Sequence, residues 1–402
     1  MCGELFGLKQ SESHMESIYL DYNSTTPVDP AVIEVMRQNL ADNFGNPSSI
    51  HGVGQKAKVT LEAAREQIAA LLGADPSEIY FTSGGTEADN LALKGAAWAG
   101  RGKGNHIIIS QIEHHAVLET AHYLEKNGFA VTSLACDHYG IISVDALRTA
   151  LRPETTVVSI MMANNETGVI QPIREMAAVC RKAGVLFHTD AVQAVGKIPV
   201  DVNDLGVDML SLSAHKFYGP KGVGALYIRK KVNIVPLLHG GSHEKRRRAG
   251  TENVPSVAGM AKALEIAIAK IDSEHKRLTE LGEYFIQTVT TRIDDVTLNG
   301  SSDNRVPSTM NLSFRGVEGE SIILSLDLKG IAVSSGSACT SGSLQASHVL
   351  KAMGVDDVLA QGSIRFSMGR YTTREQLDYT LSILPEIIDR LRSMSAAYKR
   401  ST

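Results

Sequence analysis

Three short stretches hold residues from which chemistry can be read first: Lys216 in "SLSAHKFYG", Asp190 in "FHTDAVQ", and Gly84-Gly85-Thr86 in "FTSGGTEADN". A neutral lysine amine can form a Schiff base with an aldehyde, and cationic surroundings or partial burial favour the neutral form. An aspartate can keep a ring nitrogen protonated, and glycines opening a helix leave backbone N–H groups available to a phosphate. Taken singly, each has a plainer reading. Most lysines are solvated, an aspartate can cap a helix, and Gly-Gly is commonly a turn.

Two further positions ask for explanation. Cys339 sits in "SSGSACTSGS", where no neighbour is large enough to bury a thiol, although free cysteine is usually a buried small hydrophobe. Arg365 alternates in "SIRFSMGR" with Ile364, Phe366 and Met368, so it projects from the opposite side of a strand. Its planar fork suits a carboxylate, and an exposed edge salt bridge is an equally available reading.

The elements that position these residues follow from hydrophobic patterning. Apolar runs at 78–82, 106–110, 156–162, 185–189, 209–213 and 224–229 are mostly separated by enough chain for a helix, which predicts a mainly parallel sheet covered on both faces. The last two runs are close enough to pair antiparallel. The stretch 56–73 places Leu61, Ala64, Ile68, Leu71 and Leu72 on one helical face and stops at Gly73. After about residue 270 a long charged helix, three short strand-like runs and a terminal helix predict a smaller α+β unit. Ligands bind beyond the carboxyl ends of strands in open parallel sheets. The residues following these runs are Gly85-Thr86, Glu113-His114-His115, Asn164-Asn165-Glu166, Asp190 with Gln193, and His215-Lys216. A phosphate cradle, an aspartate and a lysine at successive strand ends are the parts that pyridoxal phosphate chemistry needs.

Composition narrows the setting. Among 402 residues, 40 Lys+Arg against 44 Asp+Glu give a net charge of −4, so no global basic field draws the chain to nucleic acid or an anionic membrane. The run Lys245–Arg248 is a local exception, read on its own as a solvated loop. Four cysteines at 2, 136, 180 and 339, with no C-x-x-C pair, suggest neither a zinc site nor a disulfide framework. The N-terminus lacks a signal-peptide pattern and no apolar run approaches spanning length, so a cytoplasmic protein is expected.

The stretches "YLDYNSTTPVDP", "FGNPSSIH", "FTSGGTEADN", "EHHAV", "NNETG", "FHTDAVQAVGK", "SLSAHKFYGPKGVGALY", "RRAGTENV", "SSGSACTSGS" and "SIRFSMGRYTT" resemble the cysteine desulfurases of the iron–sulfur assembly and nitrogen-fixation type, over residues 17 to about 395. The resemblance implies the fold type I architecture of pyridoxal phosphate transferases: a large domain (29–270) with a mainly parallel seven-stranded sheet between helices, and a small α+β domain (1–28 and 271–402) carrying the cysteine loop. It implies a homodimer that takes sulfur from L-cysteine, releases L-alanine and passes a Cys339 persulfide to an iron–sulfur scaffold or other acceptor, without a metal.

By the same resemblance Lys216 carries pyridoxal 5'-phosphate, Asp190 pairs with the ring nitrogen, Gln193 meets the ring hydroxyl and His114 stacks on the ring. Gly85, Thr86, Ser213 and His215 hold the phosphate, Thr251 reaches the phosphate of the other subunit, and Asn165 and Arg365 hold the substrate carboxylate. Two departures stand out. Variation within "DYNSTT" is expected to matter little, and the short ending "AAYKRST" places the chain nearer the nitrogen-fixation type.

Overall fold

The computed structural model describes residues 17–335, 346–395 and 398. The apolar runs form strands β2 (Ile79–Thr82), β3 (His106–Ser110), β5 (Thr155–Ser159), β6 (Leu186–Asp190), β7 (Met209–Ser213) and β8 (Gly224–Ile228), following the two-residue β1 (Ile18–Tyr19). A seventh member of the sheet, β4 (Ala130–Leu134), was not anticipated among the apolar runs. It is an edge strand, with only Leu134 buried, so it lacks the continuous apolar run of its neighbours.

The sheet order is β2-β8-β7-β6-β5-β3-β4. Strands β4, β3, β5, β6 and β7 pair in parallel, whereas β8 runs antiparallel to both β7 and β2. The expected antiparallel pair is present, with Leu212 opposite Ala225. Because β8 alone is reversed, the carboxyl ends of β2, β3, β5, β6 and β7 share one edge. Both faces are dry. Ile108, Val158 and Leu210 enter one apolar cluster, while their neighbours Ile107, Ile109, Val157 and Met209 enter the other, as a period of two requires. Truncating one of these side chains to alanine costs about 2–5 kcal/mol.

Helix α1 (Pro30–Asp42) is capped by Asp29, and α2 (Gly52–Leu72) ends at left-handed Gly73 (φ 71°) as its sequence foretold. Helix α3 (Gly85–Ala99) packs Ala88, Ala92, Ala96 and Ala97 out of solvent, small residues that let it lie close on the sheet. Helix α4 (His115–Lys126) follows β3.

The C-terminal third forms its own sheet of β9 (Val296–Asn299), β10 (Thr309–Phe314) and β12 (Ser363–Ser367), antiparallel with β10 central. Phe285, Phe314, Phe366 and Leu384 fill the core between this sheet and the helices Ile271–Arg292 and Arg374–Met394. The beginning of the chain joins it: β1 pairs in parallel with β11 (Ile331–Ala332), and Asp21 bridges to Ser367. Residues 18–23 are thereby carried to the carboxyl edge of the large sheet. No helix among the described residues is long and apolar enough to cross a membrane.

Candidate active site

The shared strand edge opens into a cavity of about 380 Å³ between the large sheet and β12. At one end α3 begins. Gly84 adopts φ 158°, ψ −176°, a conformation essentially reserved for glycine, and no side chain caps the helix. The first-turn N–H groups thus stay uncapped by any side chain. A Cβ on Gly85 would lie 2.8 Å from Val192 Cγ2, so the lining is close even without one. Thr86, Ser213 at the end of β7, and His215 line the same part of the cavity. Burial, then the charge of Lys216, lowers the His215 pKa to about 4, leaving a neutral imidazole.

At the end of β6, Asp190 accepts a hydrogen bond from the Val192 backbone N–H (2.9 Å). Burial pushes its carboxyl up to about 6, against the favourable charge of Lys216. Asp89, one turn into α3, is 1% exposed, and its Oδ1 has no hydrogen-bond partner among the described residues. Burial and then the charge of Asp190 hold Asp89 well above the ordinary carboxylate range. Behind them His188 sits between the hydroxyls of Ser159 (2.8 Å) and Ser211 (2.9 Å), neutral because burial lowers its pKa to about 3. Two desolvated carboxyls sharing one end of a cavity favour a cationic N–H partner.

Between these poles stand Lys216 and Asn23. Lys216 Nζ donates to the carbonyls of Asn23 (2.7 Å) and Ser24 (2.8 Å). The Asn23 carbonyl also accepts from Gln193 Nε2 (2.9 Å), while its side chain donates to the Asn165 carbonyl (3.2 Å) and Thr309 Oγ1 (2.9 Å). His114 caps α4 by accepting from the Ala116 N–H at Nδ1 (3.1 Å), a role only an unprotonated Nδ1 can fill. Burial, followed by the Lys216 charge, lowers its pKa to about 4, so a flat, neutral ring faces the cavity.

Arg365 is 4% exposed, which removes the exposed-edge reading. Its fork, expected to be open to a carboxylate, is already engaged. Nη2 donates to Asp21 Oδ1 and Ser24 Oγ (both 2.8 Å) and Nη1 to the Asn165 carbonyl (3.0 Å), while Nε has no partner among the described residues. A substrate carboxylate must therefore compete with Asp21. Nearby, Glu166 accepts from Ser347 Oγ (2.5 Å), and burial raises its pKa to about 7.

A family model described as "Aminotransferase class-V" matches residues 18–380. The chain belongs to the class V aminotransferase family. Among curated members of this class V family, the chain is 57% identical over 378 residues to a cysteine desulfurase IscS of Dictyoglomus turgidum, covering 94% of this chain and 96% of that one. It is 51% identical to the cysteine desulfurase IscS of Methanosarcina thermophila, with 94% of each chain covered. A solved NifS-like protein superposes with a TM-score of 0.88 at 40% identity, covering 93% of this chain and all of the other. A structure described as SspA in complex with cysteine gives 0.79 at 38% identity, covering 89% and 100%.

In this class V chain, Gly85, Thr86, His114, Asn165, Asp190, Gln193, Ser213, His215, Lys216 and Arg365 all line one cavity. Thr251 does not. It is exposed and away from the cavity lining. Cys339 lies outside the described residues. The basic run is only partly the solvated loop it resembles in isolation: Lys245 and Arg246 are exposed, but Arg248 pairs with Glu87 of α3 (2.8 Å), Lys245 reaches the Ser77 carbonyl, and Arg247 lies over the Tyr80 ring. Asn23, Ser24, Asp89 and Lys197 were not singled out from sequence. Asn23 lies within "DYNSTT", and a polar residue just after strand β1 was the available signal. Asp89 falls four residues after Gly85, and Lys197 four after Gln193, the spacing that returns a side chain to the same side of a helical turn.

Proposed function

We propose that the protein is a pyridoxal phosphate-dependent cysteine desulfurase that converts L-cysteine to L-alanine and leaves the sulfur as a persulfide on Cys339. The observation that carries this reading is the convergence of Lys216, the Asp190–Asp89 carboxyls and the uncapped terminus of α3 in one cavity, in a chain 57% identical to a protein named as a cysteine desulfurase. The uncapped N–H groups, the desolvated Asp190 carboxyl and the Gly85 cradle fit the cofactor's phosphate, ring nitrogen and close approach. When bound, the cofactor supplies an electrophilic aldehyde and an electron sink.

The chain's own residues do the rest. Thr86, Ser213, His215 and the first turn of α3 bind phosphate. Asp190 would hold a proton on the ring nitrogen, His114 would cover the ring, and Gln193 would donate toward the ring hydroxyl. Lys216 would anchor the cofactor, and its Nζ would move the proton at substrate Cα. Arg365 and Asn165 orient the substrate carboxylate. In net terms, the Cys339 thiolate attacks the substrate sulfur, the carbon–sulfur bond breaks, a sulfur–sulfur bond forms, and a proton replaces sulfur on carbon. A homodimer in which Thr251 completes the neighbouring phosphate site gives the exposed segment after the pinned basic run a use. Free Cys136 and Cys180 accord with a reducing, cytoplasmic setting, and an iron–sulfur scaffold is the acceptor in keeping with the relatives' names.

The test is to incubate the protein, reconstituted with pyridoxal phosphate, with L-cysteine and a reductant, and to measure sulfide and alanine together. Equal amounts are expected. Pyruvate in place of alanine, or alanine without sulfide, would overturn the assignment.

A further inference from the structure

Lys197 has no role in the reading above, yet its ammonium is hydrogen-bonded into the centre of the site. Nζ donates to Gln193 Oε1 (2.6 Å) and Asn23 Oδ1 (2.9 Å). Both acceptors are neutral, and no salt bridge involving Lys197 is formed among the described residues. Lys216 and Arg365 face it from the site side, and Tyr218, Glu274, His275 and Arg370 share with it a second cavity of about 40 Å³. Burial and the two neighbouring cations hold the Lys197 pKa well below the ordinary lysine value.

The consequence lies in the orientation of an amide. A side-chain amide has one accepting and one donating end, and turning it round exchanges them. A protonated lysine can only donate, and a backbone carbonyl can only accept. The Gln193 amide, held between Lys197 Nζ and the Asn23 carbonyl, therefore has one satisfied orientation: oxygen toward Lys197, NH2 toward Asn23 and the cavity. One of the two amide protons serves the Asn23 carbonyl, and the other is available to a ligand.

We infer that Lys197 is a positioning residue that locks Gln193 so that it presents an N–H, not a carbonyl, to the ring oxygen of the cofactor. This inference rests on the pyridoxal phosphate reading of the site. A donor to that oxygen favours its anionic form and lowers the pH at which the adjacent chromophore gives up its proton. A reversed amide does the opposite.

The test is a pH titration of the visible absorption of the reconstituted protein. Lys197→Met keeps an apolar stem and removes the donor. It should raise the absorption midpoint by about one pH unit and release cofactor about tenfold faster on dilution. Gln193→Leu should raise the midpoint similarly, and adding Lys197→Met to it should change the midpoint by less than about 0.3 unit, because one interaction cannot be lost twice. A wild-type midpoint in Lys197→Met overturns the inference. So does a full further rise in the double variant, which would mean that Lys197 acts on the cofactor directly through its charge. Failure of the wild-type protein to take up pyridoxal phosphate at all would overturn the proposed function, and this inference with it.

Discussion

Two buried cations in this molecule are treated in opposite ways. Arg65 on α2 is 4% exposed and bonds through both Nη atoms to Glu244 (2.8 Å each), while Glu244 also accepts the Phe81 N–H and Arg65 donates to the Ile79 carbonyl. Burial works against its charge, yet the bonds to Glu244 hold its pKa above the ordinary value. Lys197 has only neutral acceptors and two cations for neighbours. The pattern extends to anions. Around the cavity Glu113, Glu166, Asp89 and Asp190 are buried with raised pKa values and without a bonded cation among the described residues. Away from the cavity charges are cancelled, which fixes structure. Beside it Asp190 and Lys197 have no ion-pair partner among the described residues, although Arg365 is paired with Asp21, and a ligand bearing both signs can complete them.

The comparison can be broken at several points. The largest effect belongs to Lys216→Ala, which should lower alanine formation at least about a thousandfold through loss of the group that moves the Cα proton, with no fall in the denaturant midpoint. Destabilisation on a par with loss of activity would place Lys216 among the structural charges. On the other side, Arg65→Met strands Glu244 in the interior and should cost about 3–5 kcal/mol in denaturant unfolding, while the folded fraction keeps its activity per molecule. A stability change below about 1 kcal/mol would show that this pair is not the structural counterpart claimed for it.

A smaller effect concerns pH. Glu166 has its pKa raised from 4.5 to about 7 by burial, so its contribution to stability is fully present below about pH 4.5 and is lost as pH rises through 7. Glu166→Gln should remove about 2–3 kcal/mol of the stability difference between pH 5 and pH 8, measured by denaturation at both values. An undiminished difference would mean that Glu166 is ionised in the native state. Smallest is Ser347→Ala. It removes the cap of the helix His348–Ala352 and the donor to Glu166, for about 1 kcal/mol, and should be markedly non-additive with Glu166→Gln. Simple additivity would separate the two residues.

What the sequence made legible was the part of the site built by local rules. Asp190, Ser213 and Lys216 sit at or just after short, fully or largely buried strands rich in apolar residues, and Gly85 opens a helix. Strand-end reasoning reaches all of these without knowledge of long-range contacts. Asn23 escaped because its value lies in partners 142 to 344 residues away, including Asn165, Gln193, Thr309 and Ser367. Strand β4 escaped because an edge strand need not be apolar on both faces. Arg365 was legible as projecting away from the core of the small sheet, but not as already bonded to Asp21, since that contact depends on β1 being laid beside β11.

That last pairing also sets an order of events during synthesis. The carbonyls that grip Lys216 belong to residues 23 and 24, made well before it, but the strand that leads into them is paired with residues 331–332, and Asp21 is joined to Arg365. A ribosome that has made everything up to Lys216 has produced the lysine, the aspartate and the glycine turn, but not the support for residues 18–24. The pocket closes around its lysine only when residues up to Arg365 have emerged, so a chain stopped at Lys216 cannot carry a finished reactive centre.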